Sequence, residues 1–150
     1  MSEYDCVPDV RKHKLAVWHL MGKFVRDLEH RALSHDNSKL EEPEKAMFDI
    51  WTPRLKEVEF GSTEYQEALA GMGEALKHHY ASNRHHPEHF ESGVDSMTLV
   101  DLIEMLVDWI VAARSKGQQP DLNYLSKRFD LSEQLVEILA NTLAEYSDDN

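Results

Sequence analysis

The sequence has one cysteine, Cys6, and only six glycines in 150 residues. A single thiol cannot close an internal disulfide, and without paired Cys/His spacing it leaves too few soft ligands for a structural zinc site. The glycines are scattered, and none opens a helix after a strand as a phosphate-cradling loop requires. No apolar run reaches the roughly 20 residues of a membrane helix, because Asp101, Glu104 and Asp108 interrupt the longest candidate. The first residues lack the basic and apolar regions of a secretory leader, which predicts a cytoplasmic protein. Positive charge is scarce too. Sixteen Lys and Arg stand against 28 Asp and Glu, a formal net charge of -12, which argues against general binding to a nucleic-acid backbone. Free nucleotides stay compatible with that balance, since a bound metal reverses the local field.

Period-two alternation is also missing, whereas three- and four-residue apolar spacing runs through most of the chain and predicts an all-α fold. Residues 1–150 are read as a single domain, with a core over 9–116 and a C-terminal helical pair over 120–146. Pro8-Asp9 opens a first helix whose stripe is Val17, Leu20, Met21, Phe24 and Leu28, with His13 on the same side. After a break at residues 34–39, Pro43-Glu44 begins a short helix that Trp51-Thr52-Pro53 is expected to end. Thr63 and Gln66 have the spacing of a capping box, predicting one helix to about Ala81 with its stripe continuing to His79 and Asn83. Residues 83–93 read as a loop. Thr98 is expected to cap a central, largely apolar helix ended by Gly117, and Ser132 to cap the last one. The final Ser-Asp-Asp-Asn is expected to fray.

What the chain has in abundance is histidine. Its nine imidazoles fall in two stretches, His13 to His35 and His78 to His89. His35-Asp36 sets two ligand-capable side chains side by side at a helix break. It suits a metal, or else a solvated turn in which Asp36 caps a helix. Asp101, Glu104 and Asp108 share one face of the central helix, and buried carboxylates there must reach water, a cation or a donor. The tract from His78 to Glu88 suits a second metal or contacts to a phosphate, the alternative being an exposed polar loop. His79 is favoured over His78 because it extends the apolar stripe. Lys39 could neutralise a phosphate oxygen or pair with Asp36.

In chain order, His13, His35-Asp36 and Asp108 resemble the H…HD…D signature of the HD superfamily of metal-dependent phosphohydrolases. The flanking residues more closely resemble a narrower family of short, uncharacterised phage and bacterial proteins. They are His35-Asp36-x-Ser38-Lys39, Pro43-Glu44, His78-His79-x3-Asn83-x-His85-His86-Pro87-Glu88 and Asp101-Leu102-Ile103-Glu104-Met105-x2-Asp108-Trp109. Unlike the broad superfamily, Asn37 and Ser38 stand between the HD pair and Lys39.

The resemblance implies a compact HD-like helical bundle, here with two extra C-terminal helices that cap the site or form a homodimer contact. It implies that His13, His35, Asp36 and Asp108 hold a divalent transition metal (Mn, Fe, Co, Ni or Zn), with His79 as a fifth ligand or holding a second ion. Glu104, or His85 or His86, would act as general base or acid. Lys39, Asn83 and His85 or His86 would meet the phosphate of a small phosphorylated substrate such as a nucleotide. Two other readings stay open. One is a non-enzymatic acidic binding protein, a host-protein inhibitor or DNA mimic. The other is a degenerate HD fold that binds a nucleotide without cleaving it.

Overall fold

The computed structural model describes residues 4–146. Among them are seven α-helices and three short 3-10 turns, with no strand, in line with the all-α expectation. None of the described helices is long and apolar enough to cross a membrane. The chain divides into two compact units, residues 1–35 and 36–150.

The first unit is a single helix, α1 (Val7–Ser34). Proline in its first turn has no N–H to leave unsatisfied, and Asp9 and Arg31 sit at the ends where their charges oppose the helix dipole. His35 leaves the helical region with φ -50° and ψ 128°. A lone helix has no interior, so the stripe from Val17 to Leu28 has no partner within this unit.

The second unit starts with a 3-10 turn (Asn37–Leu40), then α2 (Glu44–Glu57), α3 (Thr63–Gly71) and α4 (Glu74–Ser82). Two 3-10 turns (Pro87–His89 and Gly93–Ser96) lead into α5 (Leu99–Arg114), α6 (Leu122–Phe129) and α7 (Glu133–Tyr146). The turns occupy part of the stretch expected to be irregular.

Two expected boundaries differ. Pro53 lies inside α2 and does not end it. An interior proline removes one backbone hydrogen bond and costs about 3 kcal/mol. Tertiary contacts hold the helix on either side of it. The Lys116 ammonium donates to the carbonyls of Leu55 and Val58 at the end of the helix, and Trp51 packs its ring on the backbone of Gly71. The expected helix from Thr63 to Ala81 is two helices, because Gly73, with φ 54° and ψ -123°, breaks it between α3 and α4. The cap is Ser62, one residue before Thr63, and its hydroxyl accepts from the Tyr65 N–H at 3.1 Å. Gln66 does not fold back into a capping box; its amide donates to the Tyr124 hydroxyl at 2.5 Å.

The centre of this unit is α5, as expected. Met105, Leu106 and Trp109 are buried against Leu125 of α6 and Leu139 of α7. The Trp109 and Phe129 rings stack at 5.5 Å and 12°. Thr98 does cap α5, in a reciprocal box with Asp101. The Ser132 hydroxyl accepts from the Leu135 N–H at 3.2 Å. The expected fraying of residues 147–150 lies outside the described residues.

Candidate metal centre

Asp36 adopts a left-handed backbone conformation, φ 58° and ψ 14°, directly before the first 3-10 turn. Aspartate is one of the few residues with a side chain that tolerates this region. The Lys39 N–H closes the turn on the Asp36 carbonyl at 2.9 Å. The same turn brings the Lys39 ammonium to 2.5 Å from Asp36 Oδ2, so of the two roles open to Lys39 the structure displays the ion pair.

His79 lies in the last turn of α4 and is only 2% exposed, whereas the His78 side chain is 46% exposed. Both imidazoles meet Glu44, the first residue of α2, which is fully buried. His79 Nδ1 is 2.9 Å from Oε2 and His78 Nδ1 is 2.7 Å from Oε1. The Ser38 hydroxyl donates to Oε2 at 3.0 Å, and the Asn83 amide in turn donates to Ser38 Oγ at 2.7 Å. Burial pushes the Glu44 carboxyl up, but the hydrogen bonds with His78, Ser38 and His79 outweigh it and hold the group below its ordinary value. Burial, helped by the Lys39 charge, pushes the His79 imidazole down against the opposing pull of Asp36 and Glu44. An ionised Glu44 can only accept, so the His79 proton belongs on Nδ1 and the Nε2 lone pair points inward.

His85 repeats this design from the other side. Asn83 ends α4 in an extended conformation, its amide also donating to the His79 carbonyl at 2.8 Å. A turn then carries His85 and His86 back across the helix end, with the His86 N–H on the Asn83 carbonyl at 3.3 Å. His85 is 2% exposed, with Nδ1 3.1 Å from Glu104 Oε1 of α5 and Nε2 3.5 Å from Asp36 Oδ1. His79 Nε2 lies 3.4 Å from the same Asp36 oxygen and 2.9 Å from His86 Nε2.

One ligand atom from each of Asp36, His79, His85 and His86 therefore lies within 4.8 Å of all the others. At metal–ligand distances of about 2.1 Å, ligand atoms stand about 3.0 Å apart at a right angle and about 3.4 Å apart at the tetrahedral angle. The three measured separations of 2.9, 3.4 and 3.5 Å match those edges. Three neutral-capable imidazoles and one carboxylate suit Mn, Fe, Co, Ni or Zn better than Ca.

The remaining candidates fall around this cluster or away from it. Glu104 backs His85. Asp108, like Lys39, His79 and His86, lines a cleft of about 160 Å³. The Asn83 side-chain amide holds Ser38 and the His79 carbonyl. His13 is on α1, and His35 is its C-cap and the residue before Asp36. Asp101 has a different role from Glu104 and Asp108. It is fully buried, and Arg84 Nε and Nη2 donate to its two oxygens at 3.0 and 2.9 Å. No periodicity within α5 points to this donor, which stands 17 residues before Asp101. Glu44 appears in the sequence only as half of a Pro-Glu pattern, and no local periodicity ties it to a histidine 35 positions on.

The model of a protein family described as a "Family of unknown function (DUF5662)" matches residues 2–145. No curated protein and no solved structure matches the chain.

Proposed function

The chain belongs to the DUF5662 family, and we propose that it is a divalent-metal-dependent phosphohydrolase acting on a small phosphoester, a nucleotide being one such substrate. The reading rests on one observation. His79 and His85 each place Nδ1 on a glutamate and Nε2 toward the same oxygen of Asp36. Carboxylate-backed imidazoles converging on a shared point are the arrangement by which proteins fix the tautomer and raise the basicity of metal-binding histidines.

When bound, a divalent ion supplies the Lewis acidity that makes water a competent nucleophile near neutral pH. The chain's own groups supply the rest. Asp36, His79, His85 and His86 form the ligand set, and Glu44 and Glu104 orient the two buried imidazoles. The water oxygen forms the new bond to phosphorus as the ester P–O bond breaks, and the proton water loses balances the one the leaving alcohol gains. Asp108, which lines the same cleft as His86, would carry that proton. Lys39 gives the phosphoryl oxygens a fixed positive charge.

Metal content by mass spectrometry on untagged protein tests the reading, run beside Asp36→Ala/His79→Ala. About one transition ion per chain, lost in the variant, is expected. No metal in either protein after incubation with Mn, Co, Ni and Zn would sink the proposal. With metal established, release of inorganic phosphate separates a hydrolase from a degenerate fold that only binds.

A further inference from the structure

The cleft next to the cluster is larger than the metal chemistry needs. Five helices and the segment between α2 and α3 line it, and among the lining side chains are the aromatic rings of Phe48, Phe60, Tyr65, Trp109 and Phe129. His79 and His86 of the cluster are among the lining residues, so a molecule in the cleft can reach the cluster. The helix α6, which lies outside the residues resembling the HD superfamily, adds Arg128 to the lining. That guanidinium is fixed by Glu88 at 3.2 Å and by the face of Phe129, its Cζ 4.7 Å from the ring centroid.

From this we propose that the cleft is the specificity pocket of the same site and takes a compact, flat, apolar group, one ring in size, carried by the phosphoester. The proposal rests on the metal-hydrolase reading above. A cavity of about 150 Å³ lined by apolar side chains accommodates a benzene-sized ligand, and this one is about 160 Å³. A single ring fits within that volume, whereas the rest of a larger phosphoester, a nucleotide included, would extend out of it. Aromatic walls favour a flat guest through stacked and edge-on contacts. The negative end of the guest is directed to the cluster side, where Lys39 also lines the cleft.

The test compares phenylphosphonate with methylphosphonate, neither of which can be hydrolysed as an ester, by calorimetry on Mn-loaded protein whose metal content is measured first. Phenylphosphonate is expected to bind at least about tenfold more tightly, the effect of burying one ring. Ala112→Leu, which extends a side chain from α5 into the cleft, is expected to abolish that preference and leave bound Mn unchanged. If that variant does not fold, Leu76→Phe from α4 makes the same change. Equal affinity for the two phosphonates in Mn-loaded protein, or a preference that survives the filling variants, overturns the pocket and leaves the metal site standing. Protein that takes up no Mn overturns both. If the cleft is only a packing void, filling it raises stability and leaves phosphonate binding as it was, which overturns the proposal too.

Discussion

Glu44 and His79 stand 35 residues apart in the chain and meet with 2.9 Å between Oε2 and Nδ1, both almost wholly buried. The glutamate is the first residue of α2, and the histidine sits in the last turn of α4. Because that contact decides which imidazole nitrogen holds the proton, it also decides what His79 can offer a cation.

Glu44→Gln keeps the shape of the side chain and removes its charge. Metal affinity is expected to fall by about 10- to 100-fold, the usual effect of losing a carboxylate behind a ligating histidine. Glu44→Ala should in addition lower the urea midpoint, since it strands buried donors of His79 and Ser38 at about 1–3 kcal/mol. Metal titration and urea unfolding of both variants check this. Equal affinity in wild type and Glu44→Gln would contradict the role given to Glu44.

Arg84→Met takes the two guanidinium donors away from the buried Asp101 carboxylate, which keeps its hydrogen bonds with Thr98. The Arg84 side chain is 46% exposed, so solvent already screens part of the pair. The expected loss is about 1–3 kcal/mol rather than the larger penalty of a fully enclosed pair. Metal stoichiometry should stay at the wild-type value. A variant as stable as wild type would contradict the structural role given to the pair, and one that folds normally but loses its metal would show that Asp101 belongs to the site.

Lys39→Met removes a cation 2.5 Å from Asp36 Oδ2. Metal is expected to bind more tightly by about an order of magnitude, since a like charge a few ångströms away is worth about 1–4 kcal/mol between water and a protein surface. Phosphoester turnover should fall, because the phosphoryl oxygens lose a fixed positive charge. Unchanged or weaker metal binding would mean that Lys39 supports the Asp36 turn more than it opposes a cation.

Tyr65 is pushed up to about 12, first by burial and then by Asp108, and Tyr80 moves in the same direction, also chiefly by burial. A phenol whose folded-state value is raised contributes stability that is complete below about pH 10 and is lost as pH climbs toward 12. Urea midpoints are therefore expected to be level near pH 9 and to fall above about pH 10, by at most ~1.4 kcal/mol per pH unit for each group. Tyr65→Phe should flatten that decline, and a slope equal to wild type would place the alkaline transition elsewhere.

The parts of the fold legible in the sequence are those that local chemistry decides. Thr98 and Ser132 each stand just before an apolar helix, and both cap it. Pro53 and the 63–81 stretch were misread because distant groups decide them. Lys116 and Gly71 contact the helix after and before its interior proline, and Gly73 admits a backbone turn where side-chain spacing alone showed an unbroken stripe. The candidate site divides in the same way. The density of ligand-type side chains singled out Asp36, His79, His85 and His86, which do come together. Arg84 and Glu44 act on partners brought near only by the tertiary fold, so pattern along the chain, Pro43-Glu44 included, does not show which side chains they meet.

The distance between α2 and α3 is set at Gly71, where a Cβ would lie 2.5 Å from Cη2 and Cζ2 of Trp51. Any larger residue there would act as a wedge between the two helices. Since α2 begins with Glu44 and α3 leads directly into α4, which bears His79, prising them apart would lengthen the carboxylate–imidazole contact from a point well away from it. A single hydrogen in place of a methyl group thus gauges the alignment of Glu44 and His79, from a residue that touches neither of them.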